Sequence, residues 1–291
     1  VNNDGYDDLA IGTPVLGDSS GHISLVFGAS NGLNKGKRPQ SLPYYPIGTR
    51  DELQGGNRYH EIIVLAAGDF NGDSFDDLAV GTPYHDLDLT ESTDNGSVTV
   101  FFGSDSGLTE NIEPQVLAGY WQTELRFGQV LESGDFNDDG FDDLAVGTPR
   151  SDLANNSQFS DDGSVAIWQG SPLGLIIDDK DSRQLFTSDL LDPLGGRQGS
   201  EFFGAALATG DVNGDGFTDL IIGGPQKTFG RNWYDAYDGA IAVLFGSSSG
   251  LDGGKNAELL NGLTARIGLP ETNDRFGGEL EVGDFNNDGY D

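Results

Sequence analysis

Oxygen-bearing side chains recur at a fixed spacing in short acidic segments of this chain. Between Asp135 and Asp143, carboxylate or amide groups stand at positions 1, 3, 5 and 9, and position 7 offers its backbone carbonyl. A hard cation such as Ca²⁺ takes about six to eight oxygen ligands, and a tight loop can turn alternate side chains onto one point. Gly140 at position 6 permits the sharp bend, because glycine adopts positive φ without steric cost. The pattern therefore predicts a calcium-binding loop.

The loop occurs in three complete copies and in two truncated ones. The predicted ligands of the complete copies, with position 7 contributing its carbonyl, are Asp69, Asn71, Asp73, Phe75 and Asp77; Asp135, Asn137, Asp139, Phe141 and Asp143; and Asp211, Asn213, Asp215, Phe217 and Asp219. The truncated copies at the two ends contribute Asn2, Asp4, Tyr6 and Asp8, and Asp284, Asn286, Asp288 and Tyr290. Ser74 replaces the position-6 glycine in the first complete copy, which predicts a strained turn and a weaker site there.

Other interpretations of the acidic loops fit less well. An EF-hand needs a bidentate Glu at position 12, where this chain has Val80, Val146 and Ile222, and it needs flanking helices. A set of metal-free acidic turns is the remaining alternative, but each turn would gather three carboxylates that repel one another. Three carboxylates and one amide favour Ca²⁺ over Mg²⁺, and the lack of Cys and His in the loops disfavours zinc and copper.

The acidic loops belong to a longer repeat, because their first aspartates follow one another after 66, 76 and 73 residues. Each loop leads into an apolar run that ends in Gly-x-Pro: Leu9–Pro14, Leu78–Pro83, Leu144–Pro149 and Leu220–Pro225. A second apolar run follows: His22–Gly28, Ser97–Gly103, Ser164–Gly170 and Ala240–Gly246. Weaker strands are predicted around Gln115–Ala118 and Glu258–Leu260, and a further strand, such as Phe127–Ser133, leads back to the acidic loop.

Short runs rich in Val, Ile and Phe and bounded by Gly or Pro predict β-strands, about four in each unit and paired as antiparallel meanders. Four strands per repeat around an axis is the pattern of a β-propeller blade. A β-solenoid is the competing repeat architecture, but its rungs are much shorter than these units.

Composition removes several classes of function. The chain has 48 acidic and 15 basic residues, a formal net charge of −33, so nucleic acid is not an expected partner. The chain has no Cys, which excludes disulfides, thiolate metal sites and cysteine nucleophiles. No apolar run is long enough to span a bilayer. The three histidines, His22, His60 and His85, are isolated, and no catalytic constellation can be identified, so we expect no enzyme activity.

The motifs around the loops resemble the FG-GAP repeat of integrin α-subunit propellers and their bacterial relatives. Phe-Gly pairs begin at Phe127, Phe203 and Phe276 before an acidic loop, and Gly-x-Pro follows the loop. The resemblance covers essentially the whole chain, although Tyr59-His60 stand where the first unit would carry Phe-Gly. It implies an all-β propeller of four-stranded antiparallel blades, with Ca²⁺ held in the hairpin between the first and second strands of a blade.

Propellers of this family typically have seven blades, and this chain supplies about four. We therefore expect residues 1–291 to form a single partial β-propeller that belongs to a larger propeller or array. The approximate units are 1–58, 59–125, 126–197, 198–270 and 271–291. The alternative is a four-bladed ring in which the N-terminal strands complete the C-terminal blade.

The resemblance also implies a function. It points to a non-enzymatic, calcium-stabilised binding or adhesion module, secreted or at a cell surface, with a protein or glycan ligand on the face opposite the calcium hairpins. Aromatic and arginine anchors of such an interface are expected at Tyr120, Trp121, Arg231, Trp233, Tyr234 and Tyr237, unless these side chains pack between neighbouring loops. The alternatives are a self-assembling unit of a surface layer or fibre and, less favoured, a glycan-acting propeller enzyme. Asn95 and Asn155 begin N-glycosylation triplets whose use the sequence leaves open.

Overall fold

In the computed structural model, β-strands dominate the part of the chain that is described. The described residues are 1–13, 21–33, 36–44, 63–84, 95–109, 112–118, 126–152, 161–177, 183–194, 200–229, 238–252, 256–262 and 274–291. Within these ranges no helix is both long enough and apolar enough to cross a membrane.

Fifteen strands in the described ranges form four antiparallel sheets, each a meander in which consecutive strands pair. The first sheet has three strands: β1 (Leu9–Thr13), β2 (Gly21–Val26) and β3 (Gln40–Tyr44). The other three sheets have four strands each: β4 (Val64–Gly68), β5 (Asp77–Thr82), β6 (Ser97–Phe101) and β7 (Gln115–Ala118); β8 (Val130–Gly134), β9 (Asp143–Thr148), β10 (Ser164–Trp168) and β11 (Gln184–Thr187); and β12 (Ala206–Gly210), β13 (Asp219–Gly224), β14 (Ala240–Leu244) and β15 (Glu258–Leu260). The predicted all-β fold and its four-stranded units are confirmed.

A short 3₁₀ helix, Ser188–Leu194, follows β11 and was not predicted from the sequence. It has only seven residues and contains Pro193, so it carries no 3.6-residue hydrophobic period that could reveal it. Leu191 within it is fully buried in the core between the third and fourth sheets.

The first strands of successive sheets lie side by side. β8 contacts both β4 and β12, and the Thr209 hydroxyl on β12 donates a hydrogen bond to the Ser133 carbonyl on β8 at 3.1 Å. The sheets therefore extend outward from a common line of first strands, as the blades of a propeller do.

The hydrophobic core lies between the blades. Phe70, Val98 and Val100 of the second blade pack in one cluster with Leu144 and Val146 of the third. The middle strands are covered on both faces, which is why their sequences are continuous apolar runs rather than alternating ones. The first blade differs, because Leu9 and Ile11 on β1 are 43% and 42% exposed, whereas the matching Leu78 and Val80 on β5 are buried.

The two glycine motifs of the repeat meet at each blade boundary. A Cβ atom on Gly81, in the Gly-x-Pro of the second blade, would collide with the carbonyl oxygen of Gly128, in the Phe-Gly of the third. Gly147 and Gly204 meet in the same way at the next boundary. These glycines are required because two backbones approach closely there.

Candidate metal centres

Each complete acidic loop is the hairpin between the first and second strands of a blade, as predicted. The loop of residues 69–77 joins β4 to β5, and its backbone folds over its own side chains. The Asp69 carboxylate accepts N–H groups of Asp73 and Ser74 at 3.0 and 2.8 Å, the Asn71 side-chain oxygen accepts the Asp73 N–H at 2.9 Å, and the Asp73 carboxylate accepts the Phe75 N–H at 2.9 Å. The side chains at positions 1, 3 and 5 therefore all turn inward.

The other two complete loops repeat these bonds. In the 135–143 loop the N–H groups of Asp139 and Gly140 donate to the Asp135 carboxylate at 3.2 and 2.9 Å. In the 211–219 loop the N–H groups of Asp215 and Gly216 donate to the Asp211 carboxylate at 3.0 and 2.9 Å. The shared geometry follows from the shared spacing of the oxygen-bearing residues.

Position 6 has the left-handed backbone that the glycine there predicts. Its φ is +87° at Gly140 and +93° at Gly216, and Ser74 adopts +71° although it carries a Cβ atom. The expected strain at Ser74 is therefore present, because a non-glycine residue pays a steric cost in this region.

A second left-handed residue, at position 4, was missed from the sequence. Its φ is +70° at Gly72, +54° at Asp138 and +72° at Gly214. The signal was available, because the loops place only Gly, Asn or Asp at this position, and these residues tolerate positive φ best.

The aspartate at position 9 is buried and ties the hairpin to the end of the third strand. The carboxylate of Asp77 accepts the N–H of Gly103 at 2.8 Å, and that of Asp143 accepts the N–H of Gly170 at 2.9 Å. Asp219 makes the same bond to Gly246 at 2.9 Å. Position 9 thus has a structural role besides its predicted role as a ligand.

Burial raises the pKa of the Asp77 carboxyl to about 7, against the lowering effect of the Gly103 N–H, and the charges of Asp73 and Asp69 raise it further. The pKa of Asp143 also rises to about 7, again mainly through burial. The second oxygen of Asp77 is buried and makes no hydrogen bond of good geometry within the protein, although the nearby Phe70 N–H lowers the pKa of the carboxyl. A bound cation would satisfy this oxygen and would favour the charged form of the carboxyl.

The donor set of each loop fits calcium, because it consists of oxygen only. Three carboxylates, one amide and one carbonyl match the preference of Ca²⁺. Among the described residues, however, no three carboxylate or histidine side chains already converge as ligands. Their oxygens accept N–H groups of the loop instead, so a cation would have to draw them together. Calcium at these loops therefore stays a prediction.

Comparison with protein families identifies the repeat. The model of the FG-GAP repeat matches residues 63–101, 127–168 and 203–244, which contain the second, third and fourth blades up to the third strand of each. The repeats are FG-GAP repeats.

Three relatives align with most of this chain. The chain is 32% identical over 240 residues to integrin alpha-PS3 of Drosophila melanogaster, an alignment that covers 74% of this chain and 20% of that protein. It is 33% identical over 218 residues to mouse integrin alpha-7, covering 72% of this chain and 16% of the relative. A third match is the mouse phosphatidylinositol-glycan-specific phospholipase D, 28% identical over 230 residues, covering 77% of this chain and 25% of the enzyme. The chain thus spans a quarter or less of the length of these relatives, and its blades form an integrin-like FG-GAP propeller.

The truncated loops at the two ends keep part of the FG-GAP loop geometry. The Tyr6 N–H donates to the Asp4 carboxylate at 3.1 Å, and the Asp288 N–H donates to the Asp284 carboxylate at 3.0 Å. The backbone N–H of Gly289 is the main cause that lowers the pKa of Asp284. The remaining predicted residues, Asn2, Asp8, Asn286 and Tyr290, lie in the same two segments.

The predicted partner-binding residues lie outside the described residues, and so do Tyr59 and His60, which stand where Phe-Gly is expected before the 69–77 loop. They are Tyr120, Trp121, Arg231, Trp233, Tyr234 and Tyr237. Asn155 is also outside, whereas the Asn95 carbonyl accepts the N–H of Phe127 at 3.0 Å. The interface prediction therefore stays open.

Proposed function

We propose that this chain is a calcium-stabilised binding module of the adhesion type, which acts outside the cell or at its surface and does not itself catalyse a reaction. The matches to two integrin α subunits support the adhesion type. The observation that carries the calcium part is the buried Asp77 oxygen that makes no hydrogen bond of good geometry, at the end of a loop that offers four further oxygen donors.

The proposed role of calcium is structural. Each loop links the first and second strands of a blade and holds the third through its position-9 carboxylate, so a cation there would fasten three strands. A ligand that binds only the folded state stabilises it by about 2.7 kcal/mol when its concentration is 100 times its dissociation constant. Extracellular calcium, at millimolar concentration, would keep even weak sites filled.

The proposed ligand is a protein or a glycan, bound on the face opposite the calcium hairpins. The Gly-x-Pro ends of the second strands lie opposite the acidic loops, and surface loops carry binding residues more often than the strands that hold them. Integrin α propellers are the model for this arrangement.

A second candidate is favoured by one observation, the match to phosphatidylinositol-glycan-specific phospholipase D. This chain could then be the propeller of a larger enzyme and could position its substrate. Turnover of a glycosylphosphatidylinositol substrate by the chain would support that candidate. Calcium-dependent binding without turnover supports the first.

Thermal unfolding with and without chelator tests the calcium role. We expect excess EGTA to lower the melting temperature by roughly 5–10 °C, from about 2.7 kcal/mol and a few degrees per kcal/mol. Calcium should restore the melting temperature and Mg²⁺ should do so poorly. Asp77→Asn should reduce the calcium response, whereas Asp76→Asn, at the neighbouring position that is not a predicted ligand, should retain it. A melting curve that chelator leaves unchanged would remove the proposal.

A further inference from the structure

Two neighbouring acidic loops are clamped together by one residue. The Asp142 carboxylate in the 135–143 loop accepts the backbone N–H of Asp69 in the previous blade at 2.8 Å. The Asp142 N–H donates in turn to the Asp69 carbonyl at 3.0 Å. The peptide groups on both sides of the Asp69 Cα are therefore held by a single residue of the next blade.

The clamp joins the first predicted ligand of one loop to the last predicted ligand of the other. Asp69 is position 1 of its loop, and Asp142 immediately precedes Asp143, which is position 9 of its own. Contacts on either side extend the connection: the Phe141 ring lies against Gly72, and the Ser171 N–H donates to the Phe70 carbonyl at 3.1 Å. The two loops thus form one continuous hydrogen-bonded unit.

The next blade boundary provides a natural comparison. Thr218 occupies the position of Asp142 in the 211–219 loop, and its methyl group faces Gly134, where a Cβ atom would lie 2.7 Å away. Thr218 makes no hydrogen bond to Asp135, the residue that corresponds to Asp69, and both are described residues. The hydrogen bond that corresponds to Ser171–Phe70 is kept, because the Ser247 N–H donates to the Phe136 carbonyl at 3.2 Å. The clamp recurs at the C-terminal loop, where the Asp291 carboxylate accepts the Asp211 N–H at 3.2 Å and the Asp291 N–H donates to the Asp211 carbonyl at 3.4 Å. The described residues therefore contain two clamped pairs of loops and one unclamped pair.

Resting on the calcium binding proposed above, we propose that Asp142 couples the 69–77 and 135–143 loops, so that a cation in one loop raises the calcium affinity of the other. A cation must draw the ligands of its loop together, which fixes the backbone at positions 1 and 9. Through the clamp, fixing position 9 of one loop also fixes position 1 of its neighbour, so the second cation finds part of the ordering already done. Asp142 acts as a positioning residue and is not a ligand.

The expected effect is a change in affinity. Coupling between sites typically amounts to about 5- to 150-fold in affinity. For a clamp of two hydrogen bonds we expect the lower end, so that disabling the 69–77 loop with Asp73→Asn weakens calcium binding at the 135–143 loop by about 5- to 20-fold. Disabling the 211–219 loop, which is not clamped to the 135–143 loop, with Asp215→Asn should change that affinity by less than about two-fold.

Variants at the clamp separate it from general stability. Asp142→Thr reproduces the residue of the unclamped boundary and should abolish the coupling. Asp142→Asn keeps an oxygen that can accept the Asp69 N–H and should retain most of it. The reverse exchange, Thr218→Asp, should create coupling between the 135–143 and 211–219 loops.

Calorimetric titration of the full chain with CaCl₂ measures the coupling. Asp4→Asn and Asp288→Asn in every protein silence the terminal loops. For each pair of loops, the two single-loop proteins give the separate affinities, and the protein with both loops gives the joint one. Circular dichroism confirms that each variant is folded.

The outcomes are distinct. The inference is supported if the protein with both loops binds calcium more tightly than the separate affinities predict, and if this extra affinity is lost in Asp142→Thr and kept in Asp142→Asn. Independent binding in the protein with Asp142 overturns it and leaves the calcium proposal intact. The absence of any calcium binding overturns both. If Asp142→Thr fails to fold, Thr218→Asp decides: new coupling supports the clamp, and unchanged independence refutes it.

Discussion

A buried ion pair at the boundary of the fourth blade gives the sharpest prediction about stability. Lys227 and Glu201 are each 1% exposed, and the Lys227 Nζ lies 2.6 Å from the Glu201 Oε1. Glu201 stands just before the Phe-Gly of this blade, and the Lys227 carbonyl accepts the N–H groups of Asp238 and Gly239 at 3.1 and 2.9 Å. The pair therefore connects the segment after Gly-x-Pro to the entry of the first strand.

Lys227→Met removes the cation, keeps most of the side-chain volume and leaves the Glu201 carboxyl buried without it. Loss of one partner of a buried pair costs about 3–5 kcal/mol. The other carboxylate near Lys227, that of Asp192, is 3.9 Å away and about one third exposed, so it adds little. A melting temperature lower by roughly 6–20 °C follows, at about 2–4 °C per kcal/mol for a large domain. The double variant Lys227→Met, Glu201→Leu should recover most of the loss, because it buries no unpaired charge.

Urea unfolding of the wild type, both single variants and the double variant forms a complete cycle. A cost below about 1 kcal/mol for Lys227→Met, or a double variant as unstable as the sum of the singles, would refute the reasoning. The pH dependence provides an independent check. Burial raises the pKa of Glu201 and the Lys227 charge opposes this, so without Lys227 the folded-state pKa rises further. When the pKa of a carboxyl is higher in the folded state than in the unfolded state, its contribution to stability is fully present below the unfolded-state pKa. That contribution is lost as the pH rises through the folded-state pKa. The deficit of Lys227→Met should therefore shrink from pH 7.5 to pH 5.

Three further substitutions test the strain, charge and close approach that the structure shows. Ser74→Gly should raise the free energy of unfolding by about 0.5–1 kcal/mol in urea titrations, because it removes the steric cost of φ = +71°. The greater entropy of glycine in the unfolded chain offsets part of this gain. Unchanged stability would contradict the strain. Burial and then the Glu281 charge raise the pKa of Glu132 to about 7, so its charged form destabilises the fold at high pH. Glu132→Gln should therefore stabilise the fold by about 1–3 kcal/mol at pH 8 and hardly at pH 4.5. An equal gain at both pH values would refute this sign. Gly81→Ala should cost about 1–3 kcal/mol, since its Cβ meets a backbone carbonyl, whereas Gly36→Ala, with open space around it, is the matched control and should cost little; equal effects in thermal melts would count against the close approach.

The fold could be predicted from the sequence to an unusual depth, because its determinants are local and repeated. The strands Gln115–Ala118 and Glu258–Leu260 coincide with the predicted segments, and the acidic loops are the hairpins expected. The 3₁₀ helix could not be predicted, since its burial depends on Leu191 filling a gap between two blades. Side-chain pairings confined to one blade, such as that of Lys227 with Glu201, are also invisible to a pattern that repeats from blade to blade.

The candidate site was predictable in its donors but not in its connections. The spacing of Asp69, Asn71 and Asp73 identifies inward-facing oxygens, and the structure confirms that these side chains turn inward. The spacing does not reveal that the carboxylate of Asp77 is buried against Gly103, just after the third strand, because Gly103 lies 26 residues away along the chain. Neither does it show that the position-4 backbone is left-handed.

The acidic pair at positions 8 and 9 shows why composition alone misleads. In sequence, Asp142 and Asp143 are adjacent carboxylates of one acidic loop. In the structure they diverge: Asp143 turns into its own blade towards Gly170, and Asp142 turns out to the previous blade towards Asp69. Only Asp143 is a predicted ligand. Part of the charge of −33 is therefore better understood as hydrogen-bond acceptors that join blade to blade, whether or not the loops bind calcium.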